Sequence, residues 1–350
     1  MLNKSLIAFL FLCLMISCGK NADTSNPNPP PPTDTTTFKN PLLQSGPDPW
    51  VAQKDGYYYY TETQGNKISI WKTKKISDLK NASITTVWTP TAGTAYSDDV
   101  WAPEIHFVQN KWYIYFAADS AGQDETHRLY VLENSNADPT TGTWTFKGKI
   151  NEPSNNWAID ADEFEYNGSM YLLWSGWENN LGGKQNIYIA KLSNPFTTEG
   201  SRVLISSPTY EWEKNGFPVN EGPEEITNAS GNAYITFSAS FCGTDKYCLG
   251  LLSLKSNGDP LNASDWIKSS SPVFTTNANG GAYGPGHNGF FLSPDGTQNW
   301  IIYHANNTSG EGCGDSRNPR IQKFTWNSDG SPNFGNPVAI NTAIKKPSGE

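Results

Sequence analysis

The sequence predicts an all-β chain folded as a five-bladed β-propeller, and three observations carry that expectation. A polar or ionisable residue opens a strand-like run five times, at Asp48, Glu104, Asp160, Glu221 and His287, recurring every 56 to 66 residues. Each run ends in a turn and leads into an aromatic strand. Helical periodicity is nearly absent after the apolar run Leu6–Ile16. A repeat of that length with strands inside each unit marks a radially repeated sheet, which also hides its strand edges.

The units read in order. The first turns at Asp55-Gly56 and continues through Tyr57–Tyr60 and Ile68–Lys72. The second turns at Asn110-Lys111, then runs Trp112–Phe116 and Arg128–Leu132. In the third, Asn167-Gly168 precedes Met170–Trp174 and Ile187–Ala190. Ser230-Gly231 opens the fourth pair, Ala233–Phe237 and Cys248–Leu252. The fifth turns at Asp295-Gly296 before Trp300–His304 and Arg320–Phe324. Turn dipeptides between β-branched and aromatic runs are hairpin signals. Outer strands are shorter, such as Trp144–Phe146 and Trp266-Ile267. A β-sandwich or jelly roll competes, but turn, aromatic strand and second strand recur in one order.

The N-terminus reads differently. Lys4 precedes the apolar run Leu6–Ile16, and Ser17-Cys18 follows. That is a signal peptide ending at a lipobox-like cysteine, too short to span a membrane and stay. It predicts lipidation of Cys18 and a place in a bacterial cell envelope, with the membrane reached through the lipid alone; an ordinary secretory signal is the alternative. Residues 19–37, with Asn26–Thr33 almost entirely Pro and Asn, cannot bury a core and read as an extended tether. Residues 38–350 remain for one propeller domain.

Composition narrows the partners. A net charge of −9 with 25 Lys+Arg argues against nucleic acid, which calls for a basic face. The 13 Trp and 16 Tyr suit a carbohydrate binder, whose ligand stacks C–H faces on rings, although blade packing also consumes aromatics. Cys242 and Cys248 flank a short turn and predict a disulfide, leaving Cys313 odd. No Cys/His spacing fits a zinc site.

Residues that first strands bring to a common axis are the candidates for chemistry. Asp48 lies between Pro47 and Pro49, a rigid frame suited to holding a water. Asp160 and Asp162 share one face of a strand and Glu163 the other, so the period alone leaves open which looks inward. Glu221 precedes Gly222-Pro223, with Glu224 and Glu225 behind it. Each could be a turn cap or salt-bridge partner on its own.

Together, Gly46-Pro-Asp48-Pro-Trp, Trp101-Ala-Pro-Glu, Trp157-Ala-Ile-Asp160, Trp174-Ser-Gly-Trp177, Glu221-Gly-Pro-Glu and Gly284-Pro-Gly-His287-Asn resemble family 43 glycoside hydrolases, from about Pro41 to Val338. The resemblance implies a five-bladed propeller, inverting hydrolysis and pentose-containing glycans. It makes Asp48 the general base, Glu221 the general acid and Asp160 the carboxylate that tunes and orients the acid, which favours Asp160 over Asp162. It implies that Trp101 stacks on the terminal sugar and that Arg317, with Arg320 as competitor, reaches the pocket floor. His287 would touch the substrate region and help position a structural calcium ion on the channel axis. An inverting pair should stand about 6.5–9.5 Å apart to admit water.

The motif combination, with Arg320-Ile-Gln-Lys-Phe-Thr-Trp326, resembles the arabinofuranosidase and arabinanase branches more than the β-xylosidases. It implies an exo-acting α-L-arabinofuranosidase on plant cell-wall arabinan or arabino-oligosaccharides. Endo-arabinanase and β-xylosidase stand as alternatives. A glycan-binding propeller without catalysis is the reading from another class, and three acids together weigh against it.

Overall fold

The computed structural model describes residues 36–350. The expected signal peptide, Cys18 and most of the tether lie outside the described residues. Five antiparallel four-stranded sheets form the body. Blade I comprises Trp50–Lys54, Tyr57–Thr61, Ile68–Thr73 and Ser83–Trp88; blade II comprises Asp98–Val108, Lys111–Ser120, Gln123–Asn134 and Thr145–Lys149. Blade III holds Ala158–Tyr166, Ser169–Gly176, Asn186–Asn194 and Thr197–Ser206. Blade IV runs from Asn220–Thr227 through Ala233–Ala239 and Cys248–Leu254 to Trp266–Lys268, and blade V from Tyr283–Leu292 through Asn299–Asn306 and Asn318–Trp326 to the two-residue Pro332–Asn333.

Why these runs are so apolar follows from the packing. Every blade buries both faces, one against each neighbour, so inner strands need no polar side. Tyr58 and Tyr60 pack with Trp300 and Ile321 at the interface of blades I and V, while Tyr59, between them, faces Trp112 and Ile114 of blade II. Tyr113 and Tyr115 point onward to Trp157 and Trp174 of blade III. The strand period of two thus distributes successive aromatics to successive interfaces. Most of the aromatic excess is therefore core rather than sugar platform.

The turns explain the hairpins. Asp55-Gly56 and Asn167-Gly168 both take positive φ, the geometry whose twist matches flanking strands. In blade II the turn sits one residue earlier than expected, at Gln109-Asn110, with Val108 paired to Lys111. The chain ends meet in a separate two-stranded sheet, Thr37–Phe38 against Ile344–Lys345, so strand begins inside the stretch read as tether. Asn40 then clamps blade V, its Nδ2 donating to Ile321 O at 2.9 Å and its Oδ1 accepting from Ile321 N at 3.0 Å.

Candidate active site

At the channel mouth a residue in the left-handed region stands at or near the head of each innermost strand. These are Asp48, Ala102, Asp160, Gly222 and His287, with φ of 54°, 43°, 57°, 49° and 44°. In blades II to V the strand register slips there, a bulge that re-aims the neighbouring side chains. The five sequence anchors are therefore not equivalent: Glu221 precedes its left-handed glycine, and Glu104 lies two residues beyond Ala102. Only a glycine fits at Gly222, because a Cβ would press on the His287 ring at 3.2 Å as well as strain the backbone.

Asp48 is buried and densely partnered. Its Oδ1 lies 2.8 Å from Arg317 Nη1, 3.2 Å from His287 Nδ1 and 3.4 Å from His304 Nδ1. Burial opposes its charge, but Arg317 above all, with His287 and the Thr63 hydroxyl, outweighs it and holds the carboxyl well below the usual range. The Asp48 amide donates to His304 Nδ1 at 3.1 Å, which fixes that imidazole as neutral.

Asp160 and Glu221 behave in the opposite way. Asp160 Oδ2 accepts from the Gly222 amide at 2.9 Å, and Glu221 Oε1 accepts from the Tyr247 hydroxyl at 2.8 Å. Burial comes first in raising Asp160, followed by the charges of Glu221 and Asp48. Burial likewise lifts Glu221 to about 7, with Tyr247 opposing and Asp48 adding. The repulsion belongs to the pair, which holds on to a proton near neutrality while Asp48 has lost its own.

All three carboxylates line one cavity of about 570 Å³, with Trp101, Arg317 and His287. Arg320 does not reach it. That guanidinium is fully buried and spends its donors on Asn318 Oδ1, Gly281 O, Asn306 O and Asn307 Oδ1. Sequence reasoning missed Thr63, Tyr247, His304, Phe217 and Phe241. Tyr247 and His304 sit at the channel ends of second and third strands, where nothing in the local sequence separates them from packing aromatics.

The expected Cys242–Cys248 disulfide is corrected: Cys242 bonds Cys313, at an S–S distance of 2.12 Å. Cys248 lies inside its strand, register-paired with Ala239 and buried in the core between blades III and IV. Cys242 stands past the strand end on the rim, facing the blade V loop that carries Cys313, and the bridge lines the cavity.

At His287, Nδ1 is engaged with Asp48, whose carboxylate the Arg317 guanidinium also neutralises, so Nε2 is the one ring nitrogen that His287 could offer a cation. A fitting donor set lies deeper, where Glu104, His106 and Asp162 bring ligand atoms within 4.8 Å of one another. Glu104 Oε1, Glu163 Oε1 and both Glu224 oxygens have no partner in this buried layer. Burial, then the charge of Asp162, pushes Glu104 far up, and burial, then the charges of Glu104 and Asp162, does the same to Glu224; burial carries Asp162 and Glu163 up to about 8 and drives His106 down to about 3.

The fold and the channel mouth thus define a class: β-propellers that set an ionised aspartate against a proton-holding carboxylate pair. Residues 38–332 match the model of glycosyl hydrolases family 43, and the chain belongs to that family. It is 44% identical over 313 residues to an extracellular exo-α-(1→5)-L-arabinofuranosidase of Streptomyces avermitilis, covering 87% of this chain and 64% of that one. α-L-Arabinofuranosidase 43 of Humicola insolens is 38% identical, over 86% of this chain and 64% of its own. The chain therefore spans less than two thirds of either relative. A crystal structure of α-L-arabinofuranosidase from Lactobacillus brevis superposes with a TM-score of 0.82 at 37% identity, covering 87% and 98% of the two chains.

Proposed function

We propose that the protein is an inverting, exo-acting α-L-arabinofuranosidase that releases L-arabinofuranose from arabinan or arabino-oligosaccharides. The observation that carries the reading is the split in one cavity between Asp48, kept ionised by Arg317, and Glu221, kept protonated by burial. Asp48 takes a proton from a water opposite the leaving group. Glu221 gives its proton to the departing glycosidic oxygen as the bond breaks, and water adds to the opposite face of the anomeric carbon. Asp160 disfavours a second negative charge beside it and, through Gly222, fixes the strand that carries the acid. Trp101 offers its ring to the sugar. The relative from Streptomyces avermitilis, described as exo-acting on α-(1→5) links, supports the substrate and mode.

The test is product analysis on debranched arabinan, arabino-oligosaccharides and aryl glycosides. Wild type releases arabinose from the α-L-arabinofuranosides and leaves the β-D-xyloside intact. Glu221→Gln loses about 10²–10⁴-fold on oligosaccharides and far less on p-nitrophenyl arabinofuranoside, whose leaving group needs no proton. Xylose release alone, or binding without any release, overturns the assignment.

For the calcium implied by the resemblance, the fitting residues are Glu104, His106 and Asp162, with Glu224 and Glu163 facing the same layer. Their role is structural: a cation there would supply charge compensation for carboxylates that otherwise retain protons. Because these folded pKa values are raised, the cation-free protein loses stability as pH rises from about 5 to 8. Calcium at pH 8 should raise the melting temperature over that in chelator by at least ~2 °C. A melting temperature indifferent to both pH and calcium contradicts this.

The proposal extends to location. Leu6–Ile16 and Ser17-Cys18 support export and a lipid on Cys18. A Cys18→Ser chain should leave the membrane fraction, and its retention there refutes the anchor.

A further inference from the structure

Against the Trp101 ring, and outside the residues that line the cavity, lies a histidine that the reaction does not use. His127 is fully buried on the third strand of blade II, and its ring stacks on the Trp101 indole with centroids 4.1 Å apart at 24°. The Trp157 ring meets it edge-on at 6.1 Å. Both nitrogens face oxygen acceptors. Nδ1 is 2.9 Å from the Asp124 carbonyl and 3.1 Å from Asp124 Oδ1, while Nε2 is 3.3 Å from the Asp99 carbonyl. A neutral imidazole has a single N–H, so one nitrogen would turn its lone pair on a carbonyl oxygen. The doubly protonated ring satisfies both.

Asp119 supplies the counter-charge. It is fully buried, neither carboxylate oxygen has a hydrogen-bond partner, and Oδ2 lies 3.8 Å from His127 Nδ1. A buried carboxylate without a donor is costly unless a cation stands beside it. The other charged groups around the ring are acidic: Asp98 and Asp99 at the start of blade II, and Asp124 on the histidine's own strand. Arg128 touches only the His127 carbonyl and turns outward to Asn155 and Asn180. Blade III presents Trp157, whose Nε1 donates to the same Asp124 carbonyl at 2.9 Å.

We propose that His127 is held as an imidazolium between Asp119 and Asp124 and acts as a positioning residue, clamping Trp101 by a cation–π contact so that its ring is fixed for the sugar. This rests on the reading of the cavity as a sugar site. A cation on the face of an indole is attracted by the ring quadrupole, the more so when desolvated. The clamp acts on substrate affinity rather than on proton transfer, because His127 touches neither Asp48 nor Glu221. Burial works against the charge, but the Asp124 hydrogen bonds and the Asp119 carboxylate raise the pKa of His127 overall. The clamp is therefore complete below the ordinary histidine range and is lost as pH rises through the raised value.

The experiment joins side-chain ¹⁵N NMR to kinetics on p-nitrophenyl α-L-arabinofuranoside, in wild type, Asp119→Asn and His127→Gln. In wild type, both ring nitrogens of His127 should carry protons at pH 7. Asp119→Asn, nearly isosteric, should bring the titration down by at least a pH unit and raise KM about fivefold at pH 7.5, with kcat within twofold. At pH 5.5 its KM should return toward wild type, which a merely structural defect would not do. His127→Gln should raise KM at both pH values. A neutral His127 at pH 7, an unprotonated Nδ1 from a metal on Asp119, Asp124 and His127, or a kcat loss at constant KM overturns the proposal. Should the wild-type chain hydrolyse no arabinofuranoside, the cavity reading fails; the spectra still decide the charge on His127, and the proposed role in substrate affinity falls with that reading.

Discussion

At the scale of single residues, opposite protonation states follow from one difference in company. Asp48 is buried and Glu221 partly buried in the same cavity wall, yet only Asp48 has a guanidinium at 2.8 Å. Glu221 has a phenol hydroxyl and carboxylate neighbours, so burial prevails. Asp160→Asn keeps the oxygen that accepts from Gly222 and removes a charge. The pKa of Glu221 should then fall, and since the acid works only when protonated, the alkaline limb of kcat/KM should move down by roughly one unit. An unmoved limb would show that Asp160 does not tune the acid. The three acids were legible from the ordered motif set that resembles family 43; alone, Pro47 and Pro49 around Asp48, or Gly222-Pro223 after Glu221, marked stiff strand starts and no more. The sequence could not reveal Tyr247 or His127, since a tyrosine or histidine in a strand looks alike whether it packs or positions.

At the scale of elements, the bulge at the head of each innermost strand builds the mouth. A regular period of two puts Asp160 and Asp162 on one face and could not choose between them; the bulge between Ile159 and Asp162 breaks that period. In the structure both reach blade IV, Asp160 at the Gly222 amide and Asp162 at the Glu225 amide, each at 2.9 Å. Hairpins were legible from their turn dipeptides because Asn-Gly and Asp-Gly tolerate positive φ. The disulfide was not, because sequence distance says nothing about which rim loops of neighbouring blades meet. Close approach between elements gives a sharp test. A Cβ on Gly286 would stand 2.2 Å from Tyr247 Cε1 and 3.0 Å from Ser238 Oγ. Gly286→Ala should push Tyr247 off Glu221 and lower kcat/KM by about 10²-fold, with the acid's limb shifted upward as its hydroxyl donor leaves. Wild-type kinetics in that variant would mean that Tyr247 has no part in holding the acid.

At the scale of the whole molecule, the five blade sheets share five cores, one at each blade interface, so that each blade is covered on both faces. That economy fixes the axis and frees the inner strand heads for chemistry, so acids far apart in sequence meet in one cavity. The Thr37–Phe38 and Ile344–Lys345 pair is a separate two-stranded sheet whose Phe38 and Ile344 pack on the core between blades I and V, while Asn40 binds blade V. The recurrence of turn, aromatic strand and second strand made this architecture readable, whereas the short last strand of blade V left little trace. The central claim is that Asp48 drives water against the face opposite the leaving group while Glu221 protonates it. Proton NMR of the first sugar released from an α-L-arabinofuranoside, recorded before mutarotation, tests this most directly. The account predicts the β-anomer as the initial product; the α-anomer would mean retention, and would contradict it.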